Sequence, residues 1–227
     1  MKLYIGNKNY SSWSMRSWVL LKAFGIAFDE IKLRLLLTPG SAFYKALETV
    51  TPAARVPVLV EDDGFAVWDT LAIAEYIAER HPEAAIWPRE ARARGRARSL
   101  CAEMHAGFNA LRGRCPMNIE ARLHEVGAQQ LEADPALRRD LARIEELWTD
   151  ALQASGGPWL FGTDFGAADA FFAPVAMRVR SYGLPLGPAA AAYVGRLEQH
   201  PAVAAWIADA LTEQDFIPED EPYRSKR

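Results

Sequence analysis

Residues 55–74 read RVPVLVEDDGFAVWDTLAIA, and this stretch decides the fold of the first half of the chain. Two short apolar runs at residues 58–60 and 65–67 flank Asp62-Asp63-Gly64, which is a hairpin turn signal. After Asp69-Thr70, apolar residues recur at a helical spacing up to Ile77, before His81-Pro82 ends the pattern. The stretch therefore predicts two antiparallel strands followed by a helix.

The residues before this stretch alternate between strand and helix patterns, so the first half is predicted to be an α/β domain covering residues 1–82. A strand needs alternating apolar and polar residues, whereas a helix needs an apolar stripe of period 3.6. The predicted order is βαβαββα, in which the hairpin is preceded by a strand at 3–5, a helix opening at 10–12 and stopping at Gly25, a strand at 31–35 and a weak helix at 43–47.

From about residue 90 onward, the apolar patterns are helical. Cys101, Met104, Phe108 and Leu111 form one stripe, which predicts a single long helix. Asp134-Pro135 is a helix start, and two further apolar helices are predicted at 171–179 and from Pro201. Since Pro82 and Pro88 interrupt the pattern, we expect a linker at 83–90 and an all-helical domain at 91–227.

The composition excludes several classes of protein. The 227 residues include 26 Lys+Arg and 29 Asp+Glu, a net charge of −3, whereas nucleic-acid binders usually present a clustered basic face. The arginines at 89–98 read as a solvated helix face. No apolar run reaches the roughly 18 residues of a membrane helix, and the start lacks a signal peptide's apolar region, so we expect a cytoplasmic protein. Cys101 and Cys115 are too few for a zinc site, and no metal is expected.

Three short segments of the first half carry the chemistry: 10–16 (YSSWSMR), 55–59 (RVPVL) and 68–74 (WDTLAIA). Taken singly, the serines and Asp69 read as helix caps and Pro57 as a strand-entry proline. In this order and spacing, the segments resemble the cytosolic glutathione transferases, and the Ser-Ser-x-Ser-x-Arg run resembles their zeta-like bacterial members. The resemblance implies a thioredoxin-like domain followed by a helical bundle.

The resemblance implies that a serine hydroxyl activates the thiol of glutathione. The sulfur must be a thiolate to attack an electrophile, and a hydroxyl at a helix N-terminus favours that anion. Ser11 is the preferred donor, with Ser12 close behind, and the alternative is that both only cap the helix. Trp13 stands where cysteine-type relatives have their cysteine, which argues against a mixed disulfide.

The rest of the glutathione site follows from the same resemblance. Val56, before a cis Pro57, would pair its backbone with the cysteinyl part of glutathione. Asp69 would meet the ammonium of the γ-glutamyl end, and Thr70 with its helix N-terminus would receive the carboxylate. Arg55 would contact either the peptide or solvent. The implied glutathione-binding residues are Trp13, Arg55, Val56, Pro57, Asp69 and Thr70.

The second substrate is expected between the domains, along the predicted long helix and a later one. Arginines on apolar helices often meet a carboxylate, so Arg112 and Arg178 indicate an anionic substrate. They would alternatively pair with Glu103 or Asp169, and Met104 and Phe108 have the alternative of plain core packing. The candidates are Met104, His105, Phe108, Arg112, Arg178 and Tyr182.

Three functions fit these residues. The first is a glutathione transferase that adds the thiol, as co-substrate, to a small electrophile. The second is a glutathione-dependent cis–trans isomerase of a maleylacetoacetate or maleylpyruvate type, in which the thiol is returned. The third is a non-catalytic relative that binds protein, which the presence of Val56, Pro57, Asp69 and Thr70 disfavours. The resemblance also implies a homodimer, with neither nucleic acid nor membrane as a partner.

Overall fold

The first half of the chain forms a four-stranded mixed sheet with helices on it, in the predicted order βαβαββα. The computed structural model describes all residues, 1–227. The sheet order is β2-β1-β3-β4, with β1 parallel to β2 and antiparallel to β3, and β3 antiparallel to β4. The elements are β1 (Lys2–Ile5), α1 (Ser12–Ala23), β2 (Asp29–Lys32), α2 (Ala42–Glu48), β3 (Val58–Val60), β4 (Ala66–Trp68) and α3 (Thr70–Arg80).

The second strand differs from its prediction, because β2 occupies 29–32 rather than 31–35. The N–H of Leu33 still donates to the carbonyl of Ile5 at 2.8 Å. The N–H of Leu35, however, donates to the side-chain oxygen of Asn7 at 2.8 Å. The chain leaves the sheet at this point and turns toward the loop that precedes α1.

Helix α1 connects the two halves. Its N-cap is Ser11, whose side chain accepts from the backbone N–H of Ser14, as serine caps commonly do. The helix packs against α3 and β1 of its own half and against two helices of the second half, α8 (Ala167–Tyr182) and α10 (Pro201–Thr212). Because Ser12 in its first turn contacts Arg178 of α8, the N-terminus of α1 lies where the two halves meet.

The second half consists of seven α-helices, of which the sequence predicted four. No helix in it or in the first half is long and apolar enough to span a membrane. The α-helices are α4 (Ala91–Ala106), α5 (Asn109–Arg114), α6 (His124–Ala133), α7 (Pro135–Ser155), α8 (Ala167–Tyr182), α9 (Pro188–Gln199) and α10 (Pro201–Thr212).

The single long helix predicted through Cys101 and Leu111 is wrong, because the chain breaks between α4 and α5. Gly107 donates its N–H to Glu103 and closes α4, and a Cβ at this glycine would lie 2.8 Å from the Glu103 carbonyl oxygen. Phe108 follows with a φ of 54°, in the left-handed region. The break redirects α5 and carries Arg112 to the N-terminus of α1.

The largest hydrophobic core runs through both halves, as the contact between Trp18 of α1 and Trp206 of α10 illustrates, with ring centroids 5.4 Å apart. In that core Asp169, near the start of α8, accepts from the N–H of Gly166 at 2.9 Å and from the hydroxyl of Tyr193 at 2.7 Å. The core does not separate at residues 83–90. The division into two domains joined by a linker there therefore stays a prediction.

Candidate active site

The first turn of α1 holds the two serines, and their hydrogen bonds differ. Ser11 and Ser12 are 7% and 8% exposed. The hydroxyl of Ser11 donates to the hydroxyl oxygen of Ser14 at 2.7 Å, and that oxygen also accepts from the N–H of Gly6 at 3.0 Å. The hydroxyl oxygen of Ser12 accepts from Nη2 of Arg178 at 3.3 Å. Ser11 is thus engaged within its own turn, whereas Ser12 keeps its proton available to donate.

Three arginines surround this turn. The guanidinium carbons of Arg16 and Arg112 lie 4.3 and 4.6 Å from the ring centroid of Trp13. Burial, together with the charges of the other two arginines, lowers the pKa of Arg16 to about 9. Burial and the charge of Arg112 lower the pKa of Arg178 to about 10. Arg16 and Arg178 therefore both stay charged at neutral pH, and together with Arg112 they concentrate positive charge around this turn.

None of these three arginines has a carboxylate partner. The predicted alternative partners are occupied elsewhere, Glu103 by Arg143 and Asp169 by backbone N–H groups and Tyr193. Atoms Nε and Nη1 of the fully buried Arg16 have no hydrogen-bond partner. Unpaired buried charge is costly, and two of the three arginines, Arg112 and Arg178, line a cavity in which an anion could meet them.

A cavity of about 760 Å³ lies beside Trp13, between the first half and the break that separates α4 from α5. All six residues that the resemblance implied for glutathione line it. The lining residues are Trp13, Ala53, Arg55, Val56, Pro57, Trp68, Asp69, Thr70, His105, Ala106 and Arg112.

Several details of this cavity bear on ligand binding. The bond between Val56 and Pro57 is cis, as the resemblance implied. Asp69 caps α3 through the N–H of Leu71 at 2.9 Å, with a φ of 75°. The Thr70 hydroxyl is buried and has no hydrogen-bond partner. A helix N-terminus with an unpaired hydroxyl and a carboxylate beside it can receive a zwitterionic amino-acid group.

His105 reaches the same cavity from the last turn of α4. Its Nε2 lies 3.3 Å from Oδ2 of Asp69, and its ring meets that of Trp13 edge-on with centroids 5.0 Å apart. Burial lowers the pKa of His105, although the charge of Asp69 acts in the opposite direction. His105 therefore faces the cavity of the glutathione residues rather than a separate second-substrate site.

A second cavity, of about 610 Å³, adjoins the first and shares Trp13, Arg55, Val56 and Arg112 with it. Of the predicted second-substrate residues, Arg112 and Arg178 line it. Its other lining residues are Tyr10, Ser11, Ser12, Leu35, Leu37, Phe43, Tyr44, Ala54, Asn109, Gly113, Pro116, Met117 and Asp220.

Three predicted second-substrate residues line neither of these two cavities. Met104, Phe108 and Tyr182 are buried in the hydrophobic core. The break at Gly107 ends α4 before Phe108 and sends the following turn in a new direction, which accounts for Phe108. Met104 lies on the buried face of α4, and Tyr182 lies at the buried end of α8. The burial of Met104 and Phe108 in the core corresponds to the alternative of plain core packing.

Two charged residues, Arg16 beside Trp13 and Asp220 in the second cavity, were given no role from the sequence. Arg16 belongs to the recognised Ser-x-Arg run, and an arginine among the apolar residues Met15, Trp18 and Val19 was a usable signal. Asp220 follows α10 in a segment without apolar periodicity, and no sequence signal pointed to it. No three His, Cys, Asp or Glu side chains converge as a metal site requires, and both cysteines are free and buried.

The comparisons with known proteins agree with this geometry. The glutathione S-transferase N-terminal domain model matches residues 10–80, and the C-terminal domain model matches residues 89–209. The maleylacetoacetate isomerase of Pseudomonas aeruginosa is 26% identical over 212 residues, covering 89% of this chain and 96% of that protein. The enzyme of the same name from Rattus norvegicus is 26% identical over 188 residues, covering 82% of this chain and 81% of that protein.

A solved structure shares the whole architecture. A glutathione transferase homolog from Burkholderia, crystallised with bound glutathione, is 26% identical with a TM-score of 0.67, covering 93% of this chain and 98% of that one. The predicted fold, a thioredoxin-like α/β domain followed by a helical domain, is confirmed. With family models matched across both halves, the chain belongs to the glutathione S-transferase family.

Proposed function

We propose that the protein binds glutathione in the larger cavity, holds its sulfur as a thiolate at the N-terminus of α1, and adds it to a small electrophile in the second cavity. The observation that carries this proposal is the position of Ser12, which lines the second cavity beside Trp13, a residue common to both. A donor at that border can serve a sulfur held in one cavity while it attacks a molecule in the other.

The chemistry of the thiol explains why this position matters. A free thiol with a pKa near ~8.5 is mostly protonated at neutral pH. A helix N-terminus, a hydroxyl donor and nearby cations each favour the thiolate. The accepted hydrogen bond from Arg178 orients the Ser12 hydroxyl, which supports Ser12 over Ser11 as the donor to sulfur.

The groups around Asp69 support recognition of the γ-glutamyl end of glutathione. The Asp69 carboxylate would meet the ammonium, and the Thr70 hydroxyl with the N-terminus of α3 would receive the carboxylate. The unpaired hydroxyl of Thr70 supports this assignment, since a buried polar group without a partner costs about 1–3 kcal/mol until a ligand satisfies it.

Calorimetry with glutathione at millimolar concentration tests this proposal. We expect saturable binding to the wild type and a loss of roughly tenfold or more in affinity for Asp69→Asn, which removes a charged partner. Asp63→Asn, on the exposed hairpin turn, is the matched control and should bind as the wild type does. The absence of glutathione binding to the wild type would refute the proposal.

The uncompensated arginines favour a second candidate, glutathione-dependent isomerisation of a maleyl-type diacid. The relatives from Pseudomonas aeruginosa and Rattus norvegicus are named maleylacetoacetate isomerases. The thiolate would add to the cis double bond, the new single bond would rotate, and elimination would return the thiolate and the trans product. Arg112 and Arg178 would bind the carboxylates.

Glutathione consumption separates the two candidates. With maleylacetone and substoichiometric glutathione, isomerisation converts all the substrate and leaves the thiol concentration unchanged. Conjugation stops when the thiol is used up. Arg112→Gln should slow the reaction of the anionic substrate more than that of an uncharged electrophile, because Arg112 lines both cavities. Arg139→Gln, at an exposed arginine of α7, is its charge-matched control.

We also propose that the protein is a homodimer. Phe65, at the β3–β4 hairpin, is 56% exposed and lies beside the acidic Asp63. A groove of about 500 Å³ between α4 and α7 combines apolar side chains with Arg92 and Arg96. The phenyl ring and the acidic hairpin of one copy fit the groove and arginines of another. Sedimentation of Phe65→Ala and Arg96→Glu should show weakened dimers, and a monomeric wild type would exclude this arrangement.

A further inference from the structure

Residues 213–227, which we call the C-terminal segment, follow α10 and return along the first half of the protein. The carboxylate of Glu213 accepts from the backbone N–H groups of Lys8 and Asn9 at 2.9 and 3.2 Å. The segment lies beyond residue 209, where the match to the C-terminal domain model ends.

The C-terminal segment is fixed on both sides of Asp220. Ile217 is buried in a cluster with Tyr10 and other residues of the first half. The carboxylate of the buried Glu221 accepts from the Tyr10 hydroxyl at 2.8 Å and from Nδ2 of Asn118 at 2.8 Å. Asp220 is therefore held in place between two anchored residues.

Asp220 faces the second cavity, which Ser12, Arg112 and Arg178 also line. Its carboxylate makes no ion pair and no hydrogen bond in the structure. It is the one acidic side chain among the residues that line this cavity, where two arginines from α5 and α8 are without acidic partners.

The charged and titratable groups around Asp220 define its electrostatics. Glu219 and Glu221 are its neighbours in the segment, and the charge of Arg178 acts on it from α8. The other charged or titratable side chains that line the same cavity are Arg55, Arg112, Tyr10 and Tyr44. Burial, then the charges of Glu219 and Glu221, raise the pKa of Asp220 to about 6, against the opposing charge of Arg178.

We propose that Asp220 is a specificity-determining residue, whose ionised carboxylate weakens the binding of anionic electrophiles at Arg112 and Arg178. The inference rests on the proposed function in taking this cavity as the electrophile site. A charge of the same sign as the ligand repels it across the cavity, and protonation of Asp220 removes that repulsion. The protein then binds anions more tightly as the pH falls, while its affinity for uncharged electrophiles changes little.

The test compares Asp220→Asn with the wild type in calorimetric titrations with fumarate, a dianion over the range used. At about pH 7.5 we expect roughly threefold to tenfold tighter binding to Asp220→Asn, from a unit charge acting across a partly solvated cavity. At about pH 5.5, below the Asp220 pKa of about 6, the two proteins should converge. Fumaramide, the uncharged analogue, should not distinguish them.

Glu219→Gln is the matched control, because it removes the same charge from the exposed neighbouring residue. The proposal would be overturned if both substitutions had equal effects, or if Asp220→Asn and the wild type bound fumarate with identical affinity. It would also be overturned if neither protein bound fumarate. Glutathione binding is measured separately on the same proteins. Its absence would refute the proposed function, whereas the fumarate comparison needs no thiol.

Discussion

Nη2 of Arg178 donates to the hydroxyl oxygen of Ser12 at 3.3 Å, and this hydrogen bond ties α8 to the first turn of α1. Nε of the same guanidinium donates to the Cys115 carbonyl at 2.9 Å, so its orientation is fixed. Because the Ser12 oxygen already accepts a hydrogen bond from a cation, its proton is directed elsewhere and its capacity as a donor increases.

The first prediction separates the two serines. Ser12→Ala should raise the pKa of bound glutathione and lower the transferase rate roughly 10- to 100-fold, since a hydrogen bond to a charged group contributes about 1.5–3 kcal/mol. Ser11→Ala should instead cost about 1 kcal/mol of stability through loss of the helix cap. Thiolate absorbance of the glutathione complex against pH measures the first effect, and urea unfolding measures the second. The reverse result would assign the donor to Ser11.

The second prediction concerns the anion affinity of the arginine cluster. Arg112→Gln removes a half-buried charge from the border of both cavities, and should weaken fumarate binding roughly tenfold, as expected for a lost charge-assisted contact. Arg139→Gln should leave it unchanged. Calorimetry provides both values, and circular dichroism checks that the fold is intact. Equal affinities in both variants would remove Arg112 from the anion site.

The fold was predictable where local signals were strong. The turn at Asp62-Asp63-Gly64 set the hairpin, and Asp134-Pro135 set the start of α7, because each signal is contained in a few neighbouring residues. The break at Gly107 was not predictable, since an isolated glycine is tolerated within a helical stripe and the left-handed backbone of Phe108 leaves no sequence signature.

The site was predictable where one motif supplied it. Asp69 and Thr70 share a single helix start, and Val56 and Pro57 share a strand entry, so the resemblance identified these cavity-lining residues. Ser12 and Arg178 lie 166 positions apart, and their hydrogen bond depends on how α1 and α8 pack. Asp220 reaches the cavity only through the anchoring of the C-terminal segment, which no local pattern encodes.

The third prediction is a pH dependence of stability at His200. Its Nδ1 accepts from the N–H of Ala202 at 3.3 Å, its ring stacks on Phe165 with centroids 4.0 Å apart, and burial lowers its pKa below the ordinary 6.5. The unfolded chain therefore takes up a proton first, and the folded state loses stability as the pH falls below about 6.5.

His200→Asn tests this dependence, because asparagine also caps helices but does not titrate in this range. The free energy of unfolding of the wild type should fall relative to the variant between about pH 7.5 and about pH 5.5. The test is whether the difference in unfolding free energy between wild type and variant changes with pH, because the loss of stacking lowers the stability of the variant equally at both pH values. His124→Asn, at an exposed histidine, controls for the replacement itself. A constant difference would exclude His200 as the source.

The last prediction concerns Glu213, a buried carboxylate that satisfies the backbone N–H groups of Lys8 and Asn9 and pairs with Lys32 at 3.1 Å. The loop it holds leads directly into Ser11. Glu213→Ala should destabilise the protein by about 1–3 kcal/mol, because it leaves buried donors unpaired, and should speed hydrogen exchange at these two amides. Glu213→Gln, which keeps an acceptor oxygen, should lie between Ala and the wild type. Glu219→Ala, at an exposed position, should change neither measurement. If Glu213→Ala kept the stability and the amide exchange rates of the wild type, the C-terminal segment would not hold this loop.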